Sequence, residues 1–318
     1  MSLRPPPDDR SPADVLAFGV VNLDKPPGPS SHQVSAWLRD AIDDALATVG
    51  EDPIGRAAHA GTLDPKVTGC LPLMLGDATR LAPVFLEGKK EYVAVLECHG
   101  PVPADADRVF EEFVGPIYQK PPRKSAVSRR MRIRHIDDLD ILETESRRLL
   151  VRIRCESGTY VRKLCHDLGL ALGTGAHMGD LRRTATDPFD DHDLATAHDL
   201  VDALAFWVED DDPEPLLDVV DPAERILTDL PSVVIAESAA REVANGAPVY
   251  APGVLEVDEG VRVLRADSET AAAEREDDET APLVACYTPN GSAVCLGRLV
   301  GDPDASSGIV VSLERVLV

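Results

Sequence analysis

The densest chemistry-bearing stretch of this chain is HAGTLDPKVTGCLPLMLGDATR, from His59 to Arg80. Gly61, Thr62, Pro65, Thr68 and Gly69 bracket Asp64 with turn-forming residues, so its carboxylate belongs on a rigid loop and not on a helix face. A lone Leu-Asp-Pro would be no more than an Asx turn. The whole segment together shifts the balance toward a carboxylate with a chemical role.

A second kind of chemistry lies in the run from Lys120 to Arg134. Lys120, Arg123, Lys124, Arg129, Arg130, Arg132 and Arg134 follow one another with no acid between them, and Arg182 and Arg183 add a further basic pair. The chain as a whole carries 56 acidic against 32 basic side chains, a net charge of −24. An overall charge of that sign repels polyanions, so a basic run kept within it points to RNA contact in preference to a merely solvated face. Only seven of the cations are lysine. The acidity therefore reads as a surface-wide adaptation to high salt, where screening over a few ångströms removes the self-repulsion.

Other chemistries lack their residues. Cys70, Cys98, Cys155, Cys165, Cys286 and Cys295 form no CxxC pair, and the histidines show no HExxH spacing, so the expectation is buried thiols, a reducing compartment and no metal. GTGAHMG, from Gly173 to Gly179, has the wrong glycine spacing for a dinucleotide loop, and Ser30 or Ser31 beside His32 has no GxSxG elbow. No apolar run is long enough to cross a membrane, and the first residues lack a signal-peptide stretch, which implies a soluble, cytoplasmic protein.

The elements that must position these groups are partly legible. Residues 1–14, with three successive prolines, read as a disordered leader. GVVNLDKP is a strand running into a loop, and Ser30 or Ser31 can cap a helix whose apolar face is Val34, Trp37, Leu38, Ala41 and Ile42. EYVAVLE and LVRIRCE alternate as half-buried strands, and YVRKLCHDLGLALG is a helix that Gly173 can terminate. Glu209 to Glu224 holds eight acids, no bases and three prolines, and reads as an exposed linker. Beyond it, VVIA, APVYAPGV, VRVLRA, PLVACYT, AVCLGRLV and IVVSLERVLV predict a small β-barrel, with Asp267 to Thr280 a solvated loop. Interleaving without strict βα repetition predicts an α+β fold, with a mixed, largely antiparallel sheet flanked by helices.

HAGTLDPKVTGCL resembles the catalytic motif of the TruB and dyskerin pseudouridine synthases. GVVNLDKPPGPSSHQV, KEYVAVLECHG, IYQKPPRKSAVSRRMRIRHI and SGTYVRKLCHDLGLALGTGAHMGDLRRT match further family segments in the same order. The resemblance implies a catalytic domain over 15–226 and, over 229–318, the PUA RNA-binding β-barrel of archaeal and eukaryotic members. It implies that Asp64 is the nucleophile, that Arg162 pairs with it, and that Tyr92 stacks on the flipped base and assists proton removal from C5. His59, Lys25, Tyr160 and Leu181 fall on positions at the target nucleotide. Lys120, Arg123, Lys124, Arg129, Arg130, Arg182 and Arg183 then form the basic surround that holds RNA.

The family isomerises uridine to pseudouridine without a cofactor. The implied substrates are the TΨC-loop uridine of tRNA, or rRNA sites chosen by an H/ACA guide RNA together with small H/ACA ribonucleoprotein proteins. A non-catalytic H/ACA RNA-binding scaffold is the alternative, but it would be expected to have lost Asp64 or Arg162, and both are present. Ala58 and Ala60 depart from the glycine and serine usual before the aspartate.

Overall fold

The computed structural model describes residues 3–121, 130–264 and 281–318. Its first residues correct the expectation of a disordered leader over 1–14. A 3-10 turn, Pro7–Asp9, leads into α1 (Pro12–Ala17), which Ser11 caps in a reciprocal box with Asp14. The physical reason is burial against distant chain. Arg10 places two guanidinium nitrogens on Glu224 at 2.7 and 2.6 Å, Arg4 donates to the Leu317 carbonyl at 2.9 Å, and the Ser292 hydroxyl donates to the carbonyls of Arg4 and Pro5.

The apolar run Gly19–Lys25 is β1, followed by α2 (Ser31–Val49). Ser30 is the residue that caps α2, sharing a capping box with Gln33, and Gly50 ends it at φ 82°. Val34, Leu38 and Ile42 face the core, but Trp37 is 57% exposed. Ser35 takes the inward position in its place, its hydroxyl satisfied by the Ser31 carbonyl at 2.9 Å.

Then come β2 (Ala57–His59), β3 (Thr68–Leu75), α3 (Ala82–Glu87), β4 (Lys90–Cys98), α4 (Ala106–Glu111), β5 (Gly115–Gln119), β6 (Arg132–Thr144) and β7 (Arg148–Cys155). The domain closes with α5 (Val161–Ala171), β8 (Ala176–Thr186), β9 (Phe189–Asp190), α6 (Ala197–Asp210), α7 (Glu214–Val219) and β10 (Asp221–Pro222). Ten strands form one sheet in the order β10-β1-β3-β8-β4-β7-β6-β5, with β2 beside β3 and β9 beside β8. Among the described residues every pairing in it is antiparallel except β3 with β8. The mixed, largely antiparallel α+β fold is therefore the one the sequence predicts.

Two apolar clusters divide the sheet. α2 and α6 bury Val34, Leu38, Ile42, Leu46, Leu200 and Leu204 against β1 and β3, whereas α5 buries Val161, Leu164 and Leu168 against β4, β6, β7 and β8. Tyr92 and Leu181 touch both clusters and sit on the seam between them. The acid-rich stretch after Glu209 is no exposed linker. It forms the end of α6, α7 and β10, anchored by buried Leu216 and Val220, with β10 paired to β1.

The C-terminal unit is a six-stranded barrel-like sheet of β11 (Ser232–Ile235), β12 (Val249–Tyr250), β13 (Val254–Val257), β14 (Leu283–Tyr287), β15 (Ala293–Leu299) and β16 (Ile309–Val316), in the order β12-β16-β15-β14-β11-β13. Helix α8 (Glu237–Ala244) packs on it. VRVL is not a strand: residues 259–264 are helical, with the Asp258 carboxylate accepting the Val261 amide at 2.9 Å as an N-terminal cap. Asp267 to Thr280 lies outside the described residues. One cluster, including Phe18, Met74, Phe85, Leu227, Leu283, Leu296 and Leu317, joins the two units through a shared core. All six cysteines are buried free thiols. Among the described residues no helix is long and apolar enough to cross a membrane.

Candidate active site

The loop between β2 and β3 carries Asp64. Leu63 and Val67 are buried on either side of it, so the three residues between them, Asp64, Pro65 and Lys66, are pushed outward. The Val67 amide returns to the Asp64 carbonyl at 2.9 Å, a turn with proline at its favoured second position.

Three inward-facing side chains hold this loop by its backbone. The Ser31 hydroxyl accepts from the Leu63 amide at 2.9 Å and donates to the Leu63 carbonyl at 3.1 Å. Lys25 donates to the carbonyls of Pro26, Pro65 and Val67 at 2.9, 3.1 and 2.9 Å. Arg183 donates to the carbonyls of Cys70 and Gly61 at 2.7 and 3.3 Å. The β3–β8 junction requires glycine at position 69. Gly69 has φ 97°, and a Cβ there would lie 2.2 Å from the Arg183 carbonyl oxygen.

Opposite the loop, Arg162 stands on the first turn of α5 and its guanidinium donates to the Asp64 carboxylate. The two side chains are 58% and 54% exposed. Tyr160 is the residue before α5, and its backbone is gripped by Gln119, which the sequence reading passed over. Tyr92 is paired in register with Arg183 across β4 and β8, and Leu181 with Ala94. Burial pushes the Tyr92 phenol above its ordinary pKa, and the neighbouring Arg183 guanidinium opposes that shift. Half-buried His59 ends β2. Burial and then the Arg183 charge lower its imidazole pKa, which keeps it neutral, and its Nδ1 is buried without a hydrogen-bond partner.

The structure pairs Arg162 with Asp64, sets Tyr92 and Leu181 on the seam between the two clusters, and brings both Tyr92 and His59 under the influence of the Arg183 charge. It corrects two of the expected RNA contacts. Lys25 is fully buried and spends its donors on the loop, and burial lowers its pKa. Arg183 is 2% exposed and does the same from the other side. Lys25 and Arg183 meet backbone carbonyls where contact with RNA was expected. Arg182 pairs with Asp24 at 3.0 Å and Asp191 at 3.7 Å but keeps 37% of its side chain exposed, so these pairs leave its expected contact with RNA uncontradicted. Lys120 and Arg130 are exposed. Arg123, Lys124 and Arg129 lie outside the described residues. Two residues that sequence reasoning missed had faint signals: Ser31 is the second of two serines and faces inward, and Gln119 shares the inward face of β5 with Ile117.

Comparison with known proteins decides the family. The chain is 60% identical over its whole length to the probable tRNA pseudouridine synthase B of Halobacterium salinarum, covering all of both proteins. It belongs to the TruB family of pseudouridylate synthases. Residues 51–103 match the TruB N-terminal domain, residues 162–228 the tRNA pseudouridylate synthase B C-terminal domain, and residues 5–35 the DKCLD domain. The probable tRNA pseudouridine synthase B of Pyrococcus abyssi is 41% identical over 98% of this chain and 87% of its own. Among solved structures, a Cbf5-Nop10-Gar1 complex superposes with a TM-score of 0.86 at 40% identity, over 100% of this chain and 90% of the other. An H/ACA ribonucleoprotein bound to a substrate RNA containing 2′-deoxyuridine gives 0.83 at 38%, over 99% and 90%. This TruB-family chain is a pseudouridine synthase, and its DKCLD match covers most of the segment that sequence alone assigned to a disordered leader.

Proposed function

We propose that the chain converts uridine to pseudouridine with Asp64 as nucleophile, Arg162 as its ion-pair partner, and Tyr92 stacked on the base and assisting proton removal from C5. The observation that carries this reading is the Asp64–Arg162 pair, joined across 98 positions of sequence on two different elements. Both side chains are more than half exposed. An exposed pair of this kind contributes about 0–1 kcal/mol to stability, too little to explain why three buried side chains fix the loop beneath it.

The reaction breaks the N1–C1′ bond and forms a C5–C1′ bond; C5 loses a proton and N1 gains one, with no net oxidation or hydrolysis. Uridine in folded RNA must first leave its stack. The flipped base enters at the seam lined by Tyr92, Leu181 and Tyr160, while neutral His59 offers an uncharged ring beside it. Closure of RNA over the pair removes water and strengthens the hold of Arg162 on the ionised carboxylate. Exposed Lys120 and Arg130, with the basic run they flank, supply phosphate contacts.

The substrates in this reading are the TΨC-loop uridine of tRNA, and rRNA uridines reached through an H/ACA guide RNA with partner proteins of the Nop10 and Gar1 kind. The names of the relatives support the first, and the superposition over nearly all of Cbf5 supports the second. Residues 15–226 act as the catalytic domain and 229–318 as the PUA RNA-binding domain, working in the cytoplasm.

The test is pseudouridine mapping by carbodiimide primer extension, in multimolar KCl, on an unmodified tRNA transcript with and without guide RNA and partner proteins. Product from wild type and none from Asp64→Asn supports the reading. Full activity in Asp64→Asn overturns the assignment of Asp64, and no product under any condition overturns the reading as a whole and favours an RNA-binding scaffold.

A further inference from the structure

Helix α5 begins without a side-chain cap, because the residue before it is Tyr160, whose side chain makes no capping hydrogen bond. The first turn of a helix leaves amides unpaired and frays unless something holds it. Here the holder comes from another strand. Gln119, at the end of β5 and 1% exposed, accepts from the Tyr160 amide through Oε1 at 2.9 Å and donates through Nε2 to the Tyr160 carbonyl at 3.2 Å. The Tyr160 amide can only be met by the oxygen of the side-chain amide, so its orientation is fixed. That carbonyl also receives the amides of Lys163 and Leu164, both at 3.0 Å. One side chain therefore clamps both polar groups of the residue on which the helix starts. Arg162 lies two residues further on, and its guanidinium reaches Asp64 from that turn.

We infer that Gln119 is a positioning residue for the reaction: it sets the first turn of α5 so that Arg162 meets Asp64 and Tyr160 faces the seam. The inference rests on the reading of Asp64 and Arg162 given above. Val161, Leu164 and Leu168 are buried and keep the body of α5 on the core. Loss of the clamp therefore releases the turn without unfolding the helix. A long arginine displaced at its base by about 1 Å costs about a hundredfold in rate when its target must be met in one geometry.

The experiment uses the full-length protein in multimolar KCl, with single-turnover pseudouridine formation on an unmodified tRNA transcript and RNA affinity measured separately. Gln119→Leu, which is apolar and of similar size, should lose about ten- to a hundredfold in single-turnover rate. Its RNA affinity should move less than about threefold, since Gln119 is buried away from solvent. Gln119→Glu supplies the readout that a merely structural role would not move. Its ionised carboxylate accepts from the Tyr160 amide but repels the Tyr160 carbonyl, whereas the protonated acid restores both bonds. Relative to wild type, its rate should recover as pH falls from about 8 to about 5.5, because burial raises the pKa of the acid. A Gln119→Leu enzyme at wild-type rate overturns the inference. So does a Gln119→Glu enzyme that tracks wild type at every pH, and this second test stands even if the leucine variant fails to fold. Asp64→Asn runs alongside. If that variant is active, the catalytic reading fails; if it is dead while Gln119→Leu is unimpaired, the inference alone fails.

Discussion

Replacing Ser31 by alanine tests whether the loop beneath Asp64 is held by its backbone. Ser31 is fully buried, and its hydroxyl both accepts from the Leu63 amide and donates to the Leu63 carbonyl. Alanine leaves both groups without a partner in a space closed to water. An orphaned buried polar group costs about 1–3 kcal/mol, the amide more than the carbonyl, so the pair should cost about 2–4 kcal/mol. The Leu63 side chain remains 4% exposed and keeps the loop attached. The expected outcome is a folded protein whose thermal midpoint falls by about 4–8 °C. Because the residue freed is the one before Asp64, single-turnover pseudouridine formation should fall at least about tenfold. Circular dichroism melts and single-turnover assays in multimolar KCl measure both. A variant with unchanged midpoint and rate would refute the argument, and would mean that Lys25 and Arg183 suffice to fix the loop.

Further outcomes follow from other contacts. Gly69→Ala places a Cβ 2.2 Å from the Arg183 carbonyl oxygen at φ 97°; it should destabilise by more than about 3 kcal/mol and abolish activity, read by a melt and by product formation. Arg10→Met removes the charge partner of Glu224, whose side chain is 11% exposed and keeps, among the described residues, only the Ala293 amide at 3.0 Å; it should cost about 3 kcal/mol, and a double-mutant cycle with Glu224→Gln should recover part of it. Lys90 donates to the carbonyls of Phe85 and Gly88, and burial followed by the Arg183 charge lowers its pKa to about 8 from 10.5. Across that window the unfolded chain holds a proton that native Lys90 has released, so its contribution rises with pH, and the cost of the buried ammonium is complete below about 8. The stability of Lys90→Met minus that of wild type should therefore fall by about 3 kcal/mol between pH 7 and pH 11, measured by denaturant melts.

Local pattern carried much of this fold. Val151, Ile153 and Cys155 alternate into the core against Arg152 and Arg154, and Ser30 caps α2 through Gln33. What pattern missed was decided by neighbours remote in sequence. The leader is ordered because Arg10 finds Glu224 across 214 residues, a partner invisible to any local window. The stretch after Glu209 looked like a linker because acids outnumber its few apolar residues, yet buried Leu216 and Val220 suffice to dock it. VRVL carries β-branched residues, but Asp258 supplies a helix cap that outweighs them. Asp64 was legible through the motif HAGTLDPKVTGCL around it, and its place on a loop through the turn formers on either side. Lys25 was placed at the target nucleotide by the family resemblance, and Arg183 in the basic surround because a cation in sequence looks like surface charge. In the fold, the carbonyls of a tightly turned loop need buried donors, and only long cationic side chains reach several of them from strands β1 and β8.

That division of labour bears on how an acidic, salt-adapted enzyme keeps a working site. The bonds that fix the Asp64 loop run from Ser31, Lys25 and Arg183 to backbone groups within the core. Salt screens charges in solvent strongly and buried contacts weakly, so these bonds are little affected by the screening that an acidic surface requires. The Asp64–Arg162 pair is the opposite case, more than half exposed on both sides and open to screening. Its attraction is weak in the free enzyme, which leaves the carboxylate accessible to an incoming uridine. In the reading proposed above, RNA closing over it lowers the local dielectric and makes the same two charges interact strongly. In that reading, a base held by buried contacts beneath an exposed ion pair confines the salt dependence of the site to the pair itself, and the tighter pair in the bound complex keeps Asp64 ionised for attack.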